Sequence, residues 1–161
     1  MKWIFAALLG VLVVYVGFLA LSSNDVVTSK YRTLDEARRD LLFQRGWLPD
    51  ILPPSARDIR TSNNLDINTS KGEFSFVPAE YAQFAALVQR CEKSQSPFFD
   101  LNSDVVKMKS NGYLPSMFTE DSAVWVFFCG PEAGHCKYVM WLEREANNSL
   151  KSDGAKPRTL G

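Results

Sequence analysis

Ala123-Val-Trp-Val-Phe-Phe-Cys129 and Cys136-Lys-Tyr-Val-Met-Trp-Leu142 are two runs of β-branched, aromatic and aliphatic residues joined by Gly130-Pro-Glu-Ala-Gly-His135. Side chains of that kind suit a pleated, buried surface, and the glycine- and proline-bearing link between them reads as a turn. The pair is therefore expected to form a β-hairpin of an antiparallel sheet. Cys129 ends one strand and Cys136 begins the next, so the hairpin sets them across from each other, within reach of a disulfide. Such a bridge suits an oxidising, exported compartment. Cys91, the third cysteine, is expected to be a buried small hydrophobe.

Upstream, Gly72-Glu-Phe-Ser-Phe-Val77 alternates apolar and polar residues with the period of a half-buried strand. Residues 59–67 read as a strand before it, with Asn68-Thr-Ser-Lys-Gly72 as the hairpin loop. Pro78 suits the first turn of a helix, and Tyr81, Phe84, Leu87 and Val88 carry helical spacing to about residue 90. Thr33-Leu-Asp-Glu36 is a capping box, with the threonine hydroxyl accepting from a first-turn amide and Glu36 reaching back. Ala37, Leu41 and Leu42 give that helix an apolar face, and Gly46 ends it, predicting a helix over residues 34–45. Residues 92–121 mix short apolar pieces with Ser, Asn, Gly and Pro; one short strand near Val105 is expected there, and loop elsewhere. The sum is an α+β domain with an antiparallel sheet and helices packed on one face.

Residues 3–21, Trp-Ile-Phe-Ala-Ala-Leu-Leu-Gly-Val-Leu-Val-Val-Tyr-Val-Gly-Phe-Leu-Ala-Leu, carry no charge. As a helix they would reach roughly 28 Å, the hydrocarbon thickness of a bilayer. The expected organisation is a transmembrane anchor at residues 1–22, a linker at 23–32, an extracytoplasmic domain at 33–146 and a flexible tail at 147–161. A cleaved signal peptide is the alternative, with Ala20-Leu21-Ser22 as its small-residue site. Both readings export the domain. The short N-terminal stub and the cysteines favour a single-pass topology with the N-terminus inside.

Lys plus Arg equals Asp plus Glu, 18 each, so the formal charge is zero. No basic stripe runs along the sequence, so no nucleic-acid partner is expected. Cys91, Cys129, His135 and Cys136 contain zinc-ligand types, but without a C-x-x-C pair, so a disulfide beside a loop histidine is preferred. Asn64, Asp66, Asn68 and Ser70, followed by Glu73, resemble a calcium loop whose glycine is misplaced. No metal, cofactor or catalytic constellation is assigned.

Trp47-Leu-Pro-Asp-Ile-Leu-Pro-Pro-Ser-Ala56 holds three prolines, so it reads as a rigid extended segment laid across the core. Trp47, Leu48, Ile51 and Leu52 are its plugs, or a candidate partner surface. Residues 45–60, Asn64-Leu-Asp-Ile-Asn68, Gly72-Glu-Phe-Ser-Phe76 and the aromatic helix that follows resemble small bacterial membrane-anchored or exported proteins with a YbbD-like head domain. The resemblance spans about residues 31–90. It implies bacterial origin, an extracytoplasmic site at the inner membrane, and no catalytic residues to carry over. The functional expectation is a non-enzymatic, membrane-anchored binding or interaction module. The alternatives are an accessory subunit of an inner-membrane complex, or an enzyme of unrecognised type.

Overall fold

A computed structural model describes residues 25–92 and 96–143. No helix among them is long and apolar enough to cross a membrane, and the run at residues 3–21 and the tail at 147–161 lie outside the described residues. The element order is β1 (Val26–Thr33), α1 (Leu34–Arg39), β2 (Arg57–Asn64), β3 (Thr69–Ser75), a 3-10 turn (Pro78–Glu80) running into α2 (Tyr81–Ala85), β4 (Gln89–Arg90), α3 (Leu101–Ser110), β5 (Leu114–Glu120), β6 (Ala123–Gly130) and β7 (His135–Leu142). The described residues form one antiparallel seven-stranded sheet of order β1-β2-β3-β7-β6-β5-β4.

The hairpin read from residues 123–142 lies inside the sheet, flanked on both sides by other strands. Its first strand is buried from Ala123 to Cys129. Burial at every position, rather than at alternate ones, means that both faces are covered. On one face Trp125, Phe127, Cys129, Cys136 and Tyr138 pack with Phe74, Phe76, Phe84, Leu48 and Ala37. On the other, Val124, Val126, Phe128 and Trp141 pack with Leu101, Val105 and Cys91. The expectation of helices on one face is therefore corrected: α1 and α2 cover one side and α3 covers the other. α3 itself replaces the short strand expected near Val105. Leu101, Val105 and Met108 recur at helical spacing, and Asp100 caps the first turn by accepting from the Ser103 amide at 3.3 Å.

The segment expected to be a linker, residues 23–32, instead supplies edge strand β1 from Val26 onward. Its pairing with β2 runs from Val26 opposite Asn64 to Thr33 opposite Arg57. Tyr31 fixes it to the first helix by donating from its hydroxyl to Asp40. Burial, then that hydrogen bond, raises the Tyr31 pKa above the usual phenol value.

Thr33 caps α1 as expected, accepting from the Glu36 amide at 3.2 Å, but Glu36 reaches back to the Arg32 amide (2.7 Å) rather than to that of Thr33. The helix also stops earlier than residue 45. Leu41 adopts φ +61°, and the Leu41 and Leu42 amides return to the carbonyls of Arg38 and Ala37. That is a Schellman closure on a non-glycine residue. A second closure follows at Gly46, whose φ is +73°, with Gly46 and Trp47 amides bonded to the Phe43 and Leu42 carbonyls.

The β2–β3 turn falls at residues 65–68 rather than 68–72, held by Asn64 Oδ1, which accepts from the Asp66 amide at 3.0 Å. The second helix ends at Ala85, not near residue 90, because Gln89 and Arg90 pair with Met117 and Ser116 of β5.

Candidate functional site

The proline-rich segment is held from both ends. Ser55 donates to Glu80 Oε2 through its hydroxyl (2.7 Å) and its amide (3.0 Å), and its hydroxyl accepts from the Val77 amide (2.8 Å). One serine thus ties the segment to the start of α2. Leu48 and Leu52 are buried, and half-buried Trp47 and Ile51 pack against the same core. Leu48 and Leu52 therefore have no area to offer a partner, while Trp47 and Ile51 keep part of theirs exposed. Their other reading, as plugs of the core, is what the structure shows.

Cys129 and Cys136 lie directly opposite in the β6–β7 register, Cα atoms 4.1 Å apart, and are disulfide-bonded. Both are fully buried, so the bridge is a core element closed to reductants. Cys91 sits in the other core, where burial raises its thiol pKa and keeps it unreactive. With two of the four zinc-type ligands bonded to each other and a third on the opposite face, the zinc arrangement is not assembled. His135 Nε2 lies instead 3.6 Å from Glu73 Oε2. Among the described residues no three His, Cys, Asp or Glu side chains converge on a metal-sized site. The calcium-like ladder is also divided: Asn64 serves the turn amides, while Ser70 is buried and donates to Asn63 Oδ1 at 2.7 Å.

The feature with binding character lies elsewhere, and it is built from residues scattered along the chain. α3 covers β6 and part of β7 but leaves the same face of β1, β2 and β3 open. Between the helix and that open half of the sheet runs a groove of about 710 Å³, a size within the range of small-ligand sites. Asp104, Lys107, Met108 and Asn111 recur at three- and four-residue intervals on α3 and form one wall. Phe128 and Val139 with Met108 and Tyr113 supply an apolar section. Arg60, Lys71 and Lys137 rise from β2, β3 and β7 on the other side.

Register explains why these cations meet. Directly opposed residues share a face of the sheet. Lys30 opposes Arg60, Arg60 opposes Glu73, and Glu73 opposes Lys137, giving one row across four strands. Lys71 stands two positions from Glu73 and so points to the same side. Arg60 Nη1 is 3.3 Å from Glu73 Oε1, an exposed pair of small energetic value. Four groove cations, Arg60, Lys71, Lys107 and Lys137, face two carboxylates, Glu73 and Asp104. The excess is positive in a chain whose total charge is zero. Lys30 beside Arg60 adds a like-charge pair directly across two strands, an arrangement that costs stability and is met where charge serves binding rather than folding. None of this was visible along the sequence, where the four basic positions of the sheet row and its neighbour, 30, 60, 71 and 137, are far apart.

Residues 25–75 match the family model of the YbbD head domain. The match begins one residue before β1 and ends on the last residue of β3, so it takes in β1, α1, the proline-rich segment and the β2–β3 hairpin. Against the expected span of about residues 31–90 it starts earlier and stops sooner, leaving out the aromatic helix. No curated protein and no solved structure matches the chain.

Proposed function

We propose that the chain is a membrane-tethered, extracytoplasmic binding module of the bacterial inner membrane, non-enzymatic, whose groove between α3 and the open half of the sheet takes an anionic ligand. The observation that carries the reading is the cationic rim set beside an apolar wall: Arg60, Lys71, Lys107 and Lys137 beside Met108, Phe128 and Val139. A ligand with a carboxylate, sulfonate or phosphate head and an apolar body matches both. The tether and the export rest on the uncharged run at residues 3–21 and on the Cys129–Cys136 bridge. The groove is preferred to Trp47–Leu52 as the partner surface.

An anionic naphthalene sulfonate dye tests the groove. The expected result is saturable binding at one site per chain, weakened about tenfold by Lys71→Glu combined with Lys137→Glu, a loss of about 1.4 kcal/mol. Arg90→Glu, at the β4 edge outside the groove, is expected to leave the affinity unchanged. Equal affinity in all three chains removes the groove as the anion site.

A further inference from the structure

Asp25 is the point at which the chain enters the described domain, and its carbonyl oxygen accepts a hydrogen bond from the Leu65 amide at 2.9 Å. The β2–β3 hairpin tip is thereby fastened to the entry point. From Leu21, the last residue of the apolar run, to Asp25 there are four residue steps, which reach at most about 14 Å when fully extended. The tip therefore stays close to wherever that run ends.

The tip has an unusual surface for a turn between two polar strands. Leu65 and Ile67 are 47 % and 39 % exposed, and beside them Val26 and Val27 of β1 are 44 % and 46 % exposed. Val26 and Val27 lie at the start of the strand paired beside the tip, so four part-exposed aliphatic residues stand at one end of the sheet. Aliphatic side chains grouped at a turn tip and the adjoining strand end form a contact surface available to an apolar partner.

We propose that this tip docks on the bilayer holding the chain's own N-terminal run, with Leu65 and Ile67 entering the interfacial region. The occupant follows from chain connectivity: of all apolar surfaces, the membrane at residue 21 is the one the tip cannot leave. Asp25 and Asp66 accompany the tip and are hydrogen-bonded to each other, which raises the Asp66 pKa. The inference rests on the tether in the reading above.

The test uses the full chain reconstituted in phosphatidylcholine vesicles. An environment-sensitive fluorophore is placed at Ile67→Cys and, for comparison, at Val106→Cys on the outer side of α3, where the side chain is 71 % exposed. Cys91 is buried and Cys129 and Cys136 are bonded, so the introduced thiol takes the label. A quencher attached to the lipid near the headgroup is expected to quench the label at 67 at least about twofold more than the label at 106, consistent with side chains buried 5–10 Å into the interface. Equal quenching at the two positions, in chains that float with the vesicles, overturns the docking and leaves the tether standing. Chains that fail to float overturn the tether itself, and the docking with it.

Discussion

Tyr138 occupies the space that a side chain at Gly72 would need. The two residues are opposed in the β3–β7 register, and a Cβ at 72 would lie 2.7 Å from Tyr138 Cε1 while also meeting the Arg60 carbonyl oxygen. The ring is fully buried against Phe127, and its hydroxyl lies 3.3 Å from Ser70 Oγ. Burial raises its pKa far above the usual phenol value. Gly72 is thus a packing residue at the join between the β1–β3 half of the sheet and the central hairpin. Gly72→Ala is expected to destabilise the domain by about 3 kcal/mol, since neither a buried ring nor a backbone carbonyl can give way. Urea denaturation followed by tryptophan fluorescence reads the change; a midpoint within error of the parent chain would show that the join tolerates a methyl group.

The disulfide offers a second test. Cys129 and Cys136 are seven residues apart and fully buried. Closing so short a loop stabilises by about 2.5 kcal/mol in the chain-entropy account. Non-reducing mass spectrometry of the exported protein is expected to recover the linked peptide pair. Because the bond is buried, reductant should open it at the rate of global unfolding. Opening that proceeds freely in native buffer would place the pair at the surface.

Leu41 is a residue that a glycine would improve. It holds φ +61° and closes the first helix turn while remaining about half exposed. The left-handed conformation costs a branched-chain residue about 1–2 kcal/mol, part of which glycine returns as chain entropy in the unfolded state. Leu41→Gly is expected to raise stability by about 0.5 kcal/mol, measured as a shift in Tm. A loss of more than that amount would mean that the leucine side chain contributes packing that its exposure does not suggest.

Asp25 and Asp66 set a pH dependence. The hydrogen bond that protonated Asp66 donates to Asp25, then the charge of Asp25, raises the Asp66 pKa in the folded chain. A carboxyl with a raised folded pKa binds its proton more tightly in the native state, so its contribution is greatest in acid and is lost as pH rises through the folded pKa. Asp66→Asn keeps a donor toward Asp25 and removes the repulsion between two carboxylates. It is expected to be more stable than the parent chain at pH 7, with the advantage shrinking as pH falls into the carboxylate range. Parallel stability profiles for the two chains would show that the pair does not interact.

Several elements could be read locally because their causes are local. The β6–β7 hairpin follows from two runs of strand-forming residues about a glycine–proline link, and the bridge follows from the placement of Cys129 and Cys136 at its closed end. Thr33 as a cap and Pro78 at a helix start each act within one turn of the chain, whereas the helix ends at Arg39 and not at Gly46. α3 escaped because Val105-Val106 suggests a strand, while the deciding contacts, Leu101 and Val105 against Val124, Val126 and Phe128, come from residues about 20 positions away in sequence. β1 escaped because a solvent-facing edge strand needs few apolar residues, and its pairing partner begins more than 20 residues later.

The sequence by itself determined an α+β domain with an antiparallel sheet, a β6–β7 hairpin and its covalent bridge, because propensity, turn chemistry and short spacing act between near neighbours. Only the tertiary structure decided that helices cover both faces, that the hairpin lies at the centre of the sheet, and that Lys30, Arg60, Lys71 and Lys137 share one face beside α3. Which face a lysine joins depends on strand register, and register is set by pairing between strands that meet only when the whole sheet closes.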